Sequence, residues 1–144
     1  MPIVFHTQTI LLPKFKIGAT RTWLANTAIA EGYKIKNINY VFMTDDELLQ
    51  MNNDFLQHDY YTDIITFDTS SEPEQAKKWV VADLYISVDR VQDNATKHGV
   101  LFNHELMRVM VHGLLHLCGY TDKTKTHKTQ MTAKENEYLS KLFI

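Results

Sequence analysis

The sequence predicts one α/β domain, a small mixed sheet of about four strands packed by about five helices, spanning residues 1–144. Three observations predict it. Short β-branched stretches alternate along the chain with longer stretches of helical spacing. The 144 residues, 44% hydrophobic and 11% aromatic, suit a single hydrophobic core. One helical stretch, opened by Asn103, is apolar almost all round (Leu106, Met107, Val109, Met110, Leu114, Leu115, Leu117), the pattern of a buried helix.

The elements follow in order. Ile3–Thr7 is rich in β-branched residues and predicts a strand. Pro13 and Gly18 bracket a connection. From about Ala19 to Tyr33 the spacing of Trp23, Leu24, Ala28 and Ile29 predicts a helix that stops near Gly32. Ile35–Met43 alternates as a strand does. Thr44 and Glu47 form a capping box for a helix that carries Leu48, Leu49, Met51 and Phe55. Asp63–Phe67 predicts a short strand, and polar Ser70–Lys78, with Pro73, an exposed loop. Trp79–Ile86 is the most apolar strand and belongs at or near the sheet centre. Ser87 caps a helix of about Val88–His98 that Gly99 ends. Asn103 caps the apolar helix. A last helix of about Lys128–Leu142 turns Met131, Tyr138, Leu139 and Leu142 inward.

Composition narrows the function. The net charge of −2 gives no global basic field, so any nucleic acid must be held by a local patch. A lone cysteine, Cys118, excludes an internal disulfide and fits a reducing compartment; it reads as a small hydrophobe beside the apolar helix. No apolar run reaches membrane-spanning length, and Met1–His6 does not read as a signal peptide. A cytoplasmic location is the expectation.

The chemistry concentrates in Val111–Asp122. His112 and His116 are four apart, on one helical face, where two imidazoles can reach a single metal ion. Gly119 and Asp122 complete H-x-x-x-H-x-x-G-x-x-D, the spacing of the metzincin zinc motif with aspartate in place of the third histidine. A glycine that tolerates positive φ lets the chain turn back toward the histidines. The predicted ligands of one zinc ion are therefore His112, His116 and Asp122, with His127 the rival third ligand. The alternative is a pair of hydrogen-bonded core histidines. A zinc protease of this type has its glutamate base immediately after the first histidine; here that position is Gly113.

H-G-L-L-H-L-C-G-Y, with upstream T-D-I-I-T-F and A-D-L-Y-I-S, resembles the YbeY family of bacterial ribosomal RNA maturation factors. The resemblance implies a small α/β fold with one zinc ion and a zinc-dependent, single-strand-specific endoribonuclease. It implies action in late 3′-end maturation of small-subunit ribosomal RNA and in ribosome quality control, with ribosomal RNA and the ribosome or a ribosomal protein as partners. The family pattern ends Gly-Tyr-Asp-His where this chain has Gly119-Tyr120-Thr121-Asp122, so only the two histidines carry over with identity. The family also has a pattern like Asn-x-x-Tyr-Arg-x-Lys-Asp. Here Asn52–Asp59 puts Leu56 in place of the arginine and His58 in place of the lysine. An arginine would grip a phosphate through two hydrogen bonds, and Leu56 cannot.

The catalytic candidates are His58, Asp63 and Arg108. His58 can carry a proton near neutral pH. Asp63, with Asp59 and Thr62, lies before a strand that in the family edges the cleft, though turn chemistry alone also explains acid and threonine there. Arg108, four residues before His112, either steadies a carboxylate near the metal, points at RNA, or forms a buried ion pair. Lys123, Lys125 and Lys128 are the candidate phosphate patch, against a plain solvated loop. Glu105 is read as serving the helix dipole alone, and His6 and His98 as surface residues. Two rival functions stay open: a metalloprotease, and a non-catalytic ribosome assembly or RNA-binding factor with structural zinc.

Overall fold

The computed structural model describes residues 2–143. Its elements run β1 (Ile3–Thr7), α1 (Ile17–Ala30), β2 (Lys34–Met43), α2 (Asp45–Leu56), β3 (Ile64–Asp68), α3 (Glu72–Ala76), β4 (Trp79–Ser87), α4 (Val88–His98), α5 (Phe102–Leu117) and α6 (Lys125–Leu142). The sheet order is β1-β2-β4-β3. β1, β2 and β4 are parallel, and β3 joins β4 antiparallel as the far edge. The expected mixed four-stranded α/β sheet is what forms, with β4 interior as its apolar sequence requires.

Local chemistry explains most boundaries. The Thr44–Glu47 capping box opens α2: Thr44 Oγ1 accepts from Glu47 N–H, and Glu47 Oε1 accepts from Thr44 N–H at 3.0 Å. Ser87 caps α4, and Gly99, at φ 66°, ends it.

Three expectations need correction. The segment expected as a loop, 70–78, contains α3, nucleated by a Ser71–Glu74 capping box; Pro73 sits in the first turn, where a missing N–H costs nothing. Asn103 does not cap α5, which begins at Phe102 with Leu101 as N-cap and no side-chain cap bond. α6 begins at Lys125, three residues early, because Thr124 Oγ1 caps it. On α2, Leu48 seals a small secondary core with Met43 and Ile65, and Phe55 is 69% exposed.

α5 runs through the main core. Leu106, Met110, Leu114 and Leu115 are completely buried, each worth about 1.5–3 kcal/mol relative to exposure. Tyr40, also completely buried, donates its hydroxyl to Met110 O at 2.9 Å. Only one stripe of α5 is polar and half-open: His104, Arg108, His112 and His116, four residues apart. α6 packs along that stripe, and the cleft opens beyond its C-terminal end.

Candidate metal centre

α5 ends at Leu117, and the turn that ends it builds the rest of the site. Tyr120 N–H reaches back to Leu115 O and Gly119 N–H to His116 O. Gly119 sits at φ 101°, a conformation that side-chain-bearing residues rarely adopt. The reversal returns Asp122 to the histidines. His112 Nε2 and His116 Nε2 lie 3.0 Å apart, and Asp122 Oδ2 lies 3.5 and 3.6 Å from them.

These three atoms fit one ion. Ligand arms of 2.0–2.1 Å at tetrahedral angles put donors ~3.3 Å apart. Two neutral nitrogens and one carboxylate oxygen are a donor set that zinc accepts. The outer hydrogen bonds point the same way. His112 Nδ1 pairs with Glu135 Oε2 at 2.6 Å, and His116 Nδ1 with Tyr120 O at 2.9 Å. When each Nδ1 carries the proton, each Nε2 is left with its lone pair facing the shared point. Glu135, 6% exposed, also accepts from Arg108 Nη1 at 2.8 Å, and Arg108 Nη2 donates to Asn136. Burial pulls the His112 pKa down, but Glu135, Asp63 and Asp122 outweigh it and leave it above the ordinary histidine value. His112 is therefore set among carboxylates.

A further layer holds the turn. Tyr120 donates its hydroxyl to Glu31 at 2.8 Å; Glu31 also takes the Tyr138 hydroxyl and lies 3.5 Å from Lys134 Nζ. Burial would raise the Glu31 pKa, yet these donors hold it below the usual range. Cys118 is buried, its thiol pushed up to about 12, and so is inert packing, as expected from sequence.

Gly113 has a steric reason. A Cβ there would stand 2.4 Å from Leu84 Cδ2, 2.8 Å from Ile64 Cδ1 and 3.3 Å from Thr66 Oγ1. α5 is pressed against β3 and β4 at the residue where a zinc protease needs its glutamate, and any side chain there would have to displace the side-chain ends of Leu84 and Ile64.

The histidines and Asp122 border an open cleft of about 540 Å³, whose other wall runs from Leu56 through His58 and Tyr60 to Asp63 and Asp68. His58 stacks on Tyr60 at 5.1 Å and bonds its hydroxyl at 2.9 Å. Asp63 is half-buried; desolvation raises its pKa, although His112 draws it down. Of the candidates, then, His58 and Asp63 border the cleft, whereas Arg108 reaches His112 through Glu135. Lys123, Lys125 and Lys128 are exposed and do not border the cleft. His127 is exposed in the first turn of α6 and is not in the cluster with His112 and His116.

One minor reading changes. Glu105 is buried and does more than serve the helix dipole: its Oε1 lies 3.3 Å from His98 Nδ1. His6 is exposed, as expected, and bonds Asn39 at 2.8 Å. The residues that sequence reasoning missed are Glu135, Glu31 and the Tyr120 carbonyl. Glu135 left a signal, since it falls four after Met131 and four before Leu139, on the face of α6 that is otherwise apolar.

The family described as Endoribonuclease YbeY matches residues 6–143. The chain is 53% identical over 120 residues to the Endoribonuclease YbeY of Cytophaga hutchinsonii, covering 83% of this chain and 81% of that one. It is 38% identical over 140 residues to that of Bacteroides thetaiotaomicron, covering 97% and 98%. A solution structure from Thermotoga maritima shares the fold with a TM-score of 0.66 at 23% identity, over 98% of this chain and 89% of that one. The helix carrying His112-Gly113 and His116, the turn at Gly119, and matches that span nearly the whole chain lead to one conclusion: the chain belongs to the endoribonuclease YbeY family.

Proposed function

We propose that the chain is a zinc-dependent, single-strand-specific endoribonuclease of the cytoplasm, acting in the processing of ribosomal RNA on or near the ribosome. The observation that carries this reading is the cluster of His112 Nε2, His116 Nε2 and Asp122 Oδ2, each histidine oriented from behind, at the wall of an open cleft in a member of an endoribonuclease family. Bound there, zinc would polarise a phosphoryl oxygen and acidify an attacking water. Asp63, a half-buried carboxylate bordering the same cleft, whose pKa burial raises, would serve as a proton acceptor there. His58 is suited to carry a proton at the opposite wall. Arg108 and Glu135 hold the His112 ring in orientation. No helix among the described residues is long and apolar enough to cross a membrane. The filled space at Gly113 argues against a protease.

The test is cleavage of a single-stranded RNA, with its duplex as control, by the purified protein and by His116→Ala. The variant should lose cleavage of the single strand by two orders of magnitude or more, roughly the loss seen when a key transition-state contact is removed. Equal cleavage by both proteins would trace the activity to a contaminant. RNA binding without cleavage by the unaltered protein would instead favour an assembly factor.

Asp122 is where this chain leaves the family pattern. Asp122→Ala should lower zinc affinity sharply, and Asp122→His should restore it. The restored variant should show a cleavage pH profile moved to lower pH, because the site gains one unit of positive charge. His127→Ala should leave zinc binding nearly intact. Zinc lost from His127→Ala and retained by Asp122→Ala would reassign the third ligand.

A further inference from the structure

We propose that Lys36, Lys77 and Lys78, gathered around Trp79 and Tyr33, form a second subsite for single-stranded RNA, one that holds nucleotides flanking the cleaved bond. The proposal rests on the endoribonuclease reading and says where the substrate's phosphates are held.

The cleft itself poses the problem. Its walls contain no lysine or arginine, and they carry three carboxylates, Asp63, Asp68 and Asp122. A polyanion gains its affinity from cations that replace its counterions, so those cations must lie beyond the walls. A neighbouring cavity of about 190 Å³, bordered by Tyr33, Lys78 and Trp79, shares Asp68 and Leu117 with the cleft, so the two adjoin. Of the three lysines, Lys78 borders this cavity, and Lys36 and Lys77 lie over the ring of Trp79, which borders it too. Lys77 Nζ is 4.6 Å and Lys36 Nζ 5.2 Å from the Trp79 ring, and Lys78 Nζ is 5.4 Å from that of Tyr33. Lys36 is shared with Glu74 at 2.7 Å, whereas Lys77 and Lys78 form no ion pair among the described residues.

The backbone fixes the cluster. Lys78 sits at φ 56°, in the left-handed region that a long side chain seldom occupies. Its N–H is bound to Gln75 O and its carbonyl accepts from Lys34 N–H, both at 3.0 Å. α3, with its own capping box, leads directly into this corner. Trp79 and Tyr33 are half-buried, and a lysine that swings from its ring to a phosphate bares a face on which a base can stack, the chemistry of single-strand binding without sequence preference. An acidic peptide would use the lysines and leave the rings idle. Lys123, Lys125 and Lys128 border neither cavity.

Tryptophan fluorescence of the unaltered, metal-stripped protein reads the subsite directly. The chain has two tryptophans. Trp23 is 7% exposed, its indole N–H bound to Tyr138 O, so Trp79 is the one that a ligand can touch. Long oligouridylates should quench it, whereas short ones that fill only the cleft should not. Lys36→Ala combined with Lys77→Ala and Lys78→Asn should weaken binding of the long oligomer roughly tenfold and flatten the log–log salt dependence by about 0.7 per contact removed. Cleavage of short RNA should keep its kcat. The Lys123→Ala, Lys125→Ala, Lys128→Ala triple should bind as the unaltered protein does. Long RNA that binds without quenching Trp79, or an unchanged salt slope in the first triple, would overturn the subsite while leaving the endoribonuclease reading in place. Quenching by polyglutamate and not by RNA would assign the surface to an acidic peptide and overturn it too. No RNA binding at all would overturn the underlying reading first.

Discussion

Gly113→Glu should yield no folded protein. The substitution writes the zinc-protease sequence His-Glu-x-x-His into α5, and the fold has no room for it. The first carbon alone would overlap the side-chain ends of Leu84 and Ile64, which would have to shift, and the carboxylate would follow into the same packed space. Overpacking of that kind costs about 1–3 kcal/mol, and a carboxylate forced into an apolar contact without a partner adds several more. Together these approach the whole stability of an ordinary domain, about 5–15 kcal/mol. Gly113→Ala supplies the graded comparison. Its clash is partly offset by the better helix propensity of alanine, about 1 kcal/mol, so it should fold with a modestly lowered denaturation midpoint. Soluble yield, circular dichroism and chemical denaturation of the two variants check this. A folded Gly113→Glu protein that digests casein would reverse the conclusion that this helix excludes protease chemistry.

The second large effect is expected from Glu135→Ala. Glu135 is buried and serves two partners at once, His112 Nδ1 at 2.6 Å and Arg108 Nη1 at 2.8 Å. Its removal frees the His112 ring to turn or to change tautomer, and loss of such an outer partner typically costs 10–100-fold in metal affinity. It also leaves Arg108 half-buried without its carboxylate. Breaking a fully buried pair costs about 3–5 kcal/mol, and the partial exposure of Arg108 places this case below that range. Glu135→Gln separates the two roles. It keeps the shape and a hydrogen-bond acceptor, so stability should recover further than metal affinity. Zinc affinity by competition with a chelator, together with urea denaturation of the metal-free protein, gives both numbers. Unchanged zinc affinity in Glu135→Ala would make Glu135 a purely structural residue.

The parts of this molecule that were legible in the sequence are those written in local chemistry. The Thr44–Glu47 box, the Ser87 cap, the Gly99 stop and the alternation of Ile35–Met43 are each decided by neighbours a few residues apart. The His112–His116 spacing and the Gly119 turn are local too, which is why the candidate site was visible before the fold was known. α3 was hidden because Pro73 reads as a breaker, although the first turn of a helix tolerates it. Glu135, Glu31 and the lysine–aromatic corner were hidden for a different reason. Glu135 meets His112 across 23 residues and Glu31 meets Tyr120 across 89, so only the packed chain brings them together. Gly113 was legible as an absent base. Its cause, close contact with Leu84 and Ile64, was not.

The central claim is that His112, His116 and Asp122 together hold one ion on which RNA cleavage depends. Titrating metal-stripped protein with zinc, while bound ion and cleavage of a single-stranded RNA are read in the same samples, tests it most directly. Cleavage should rise in step with occupancy and level off at about one ion per chain, and His112→Ala should show neither. Full cleavage by the metal-free protein, or one retained ion per chain in a His112→Ala, His116→Ala double variant, would contradict the account.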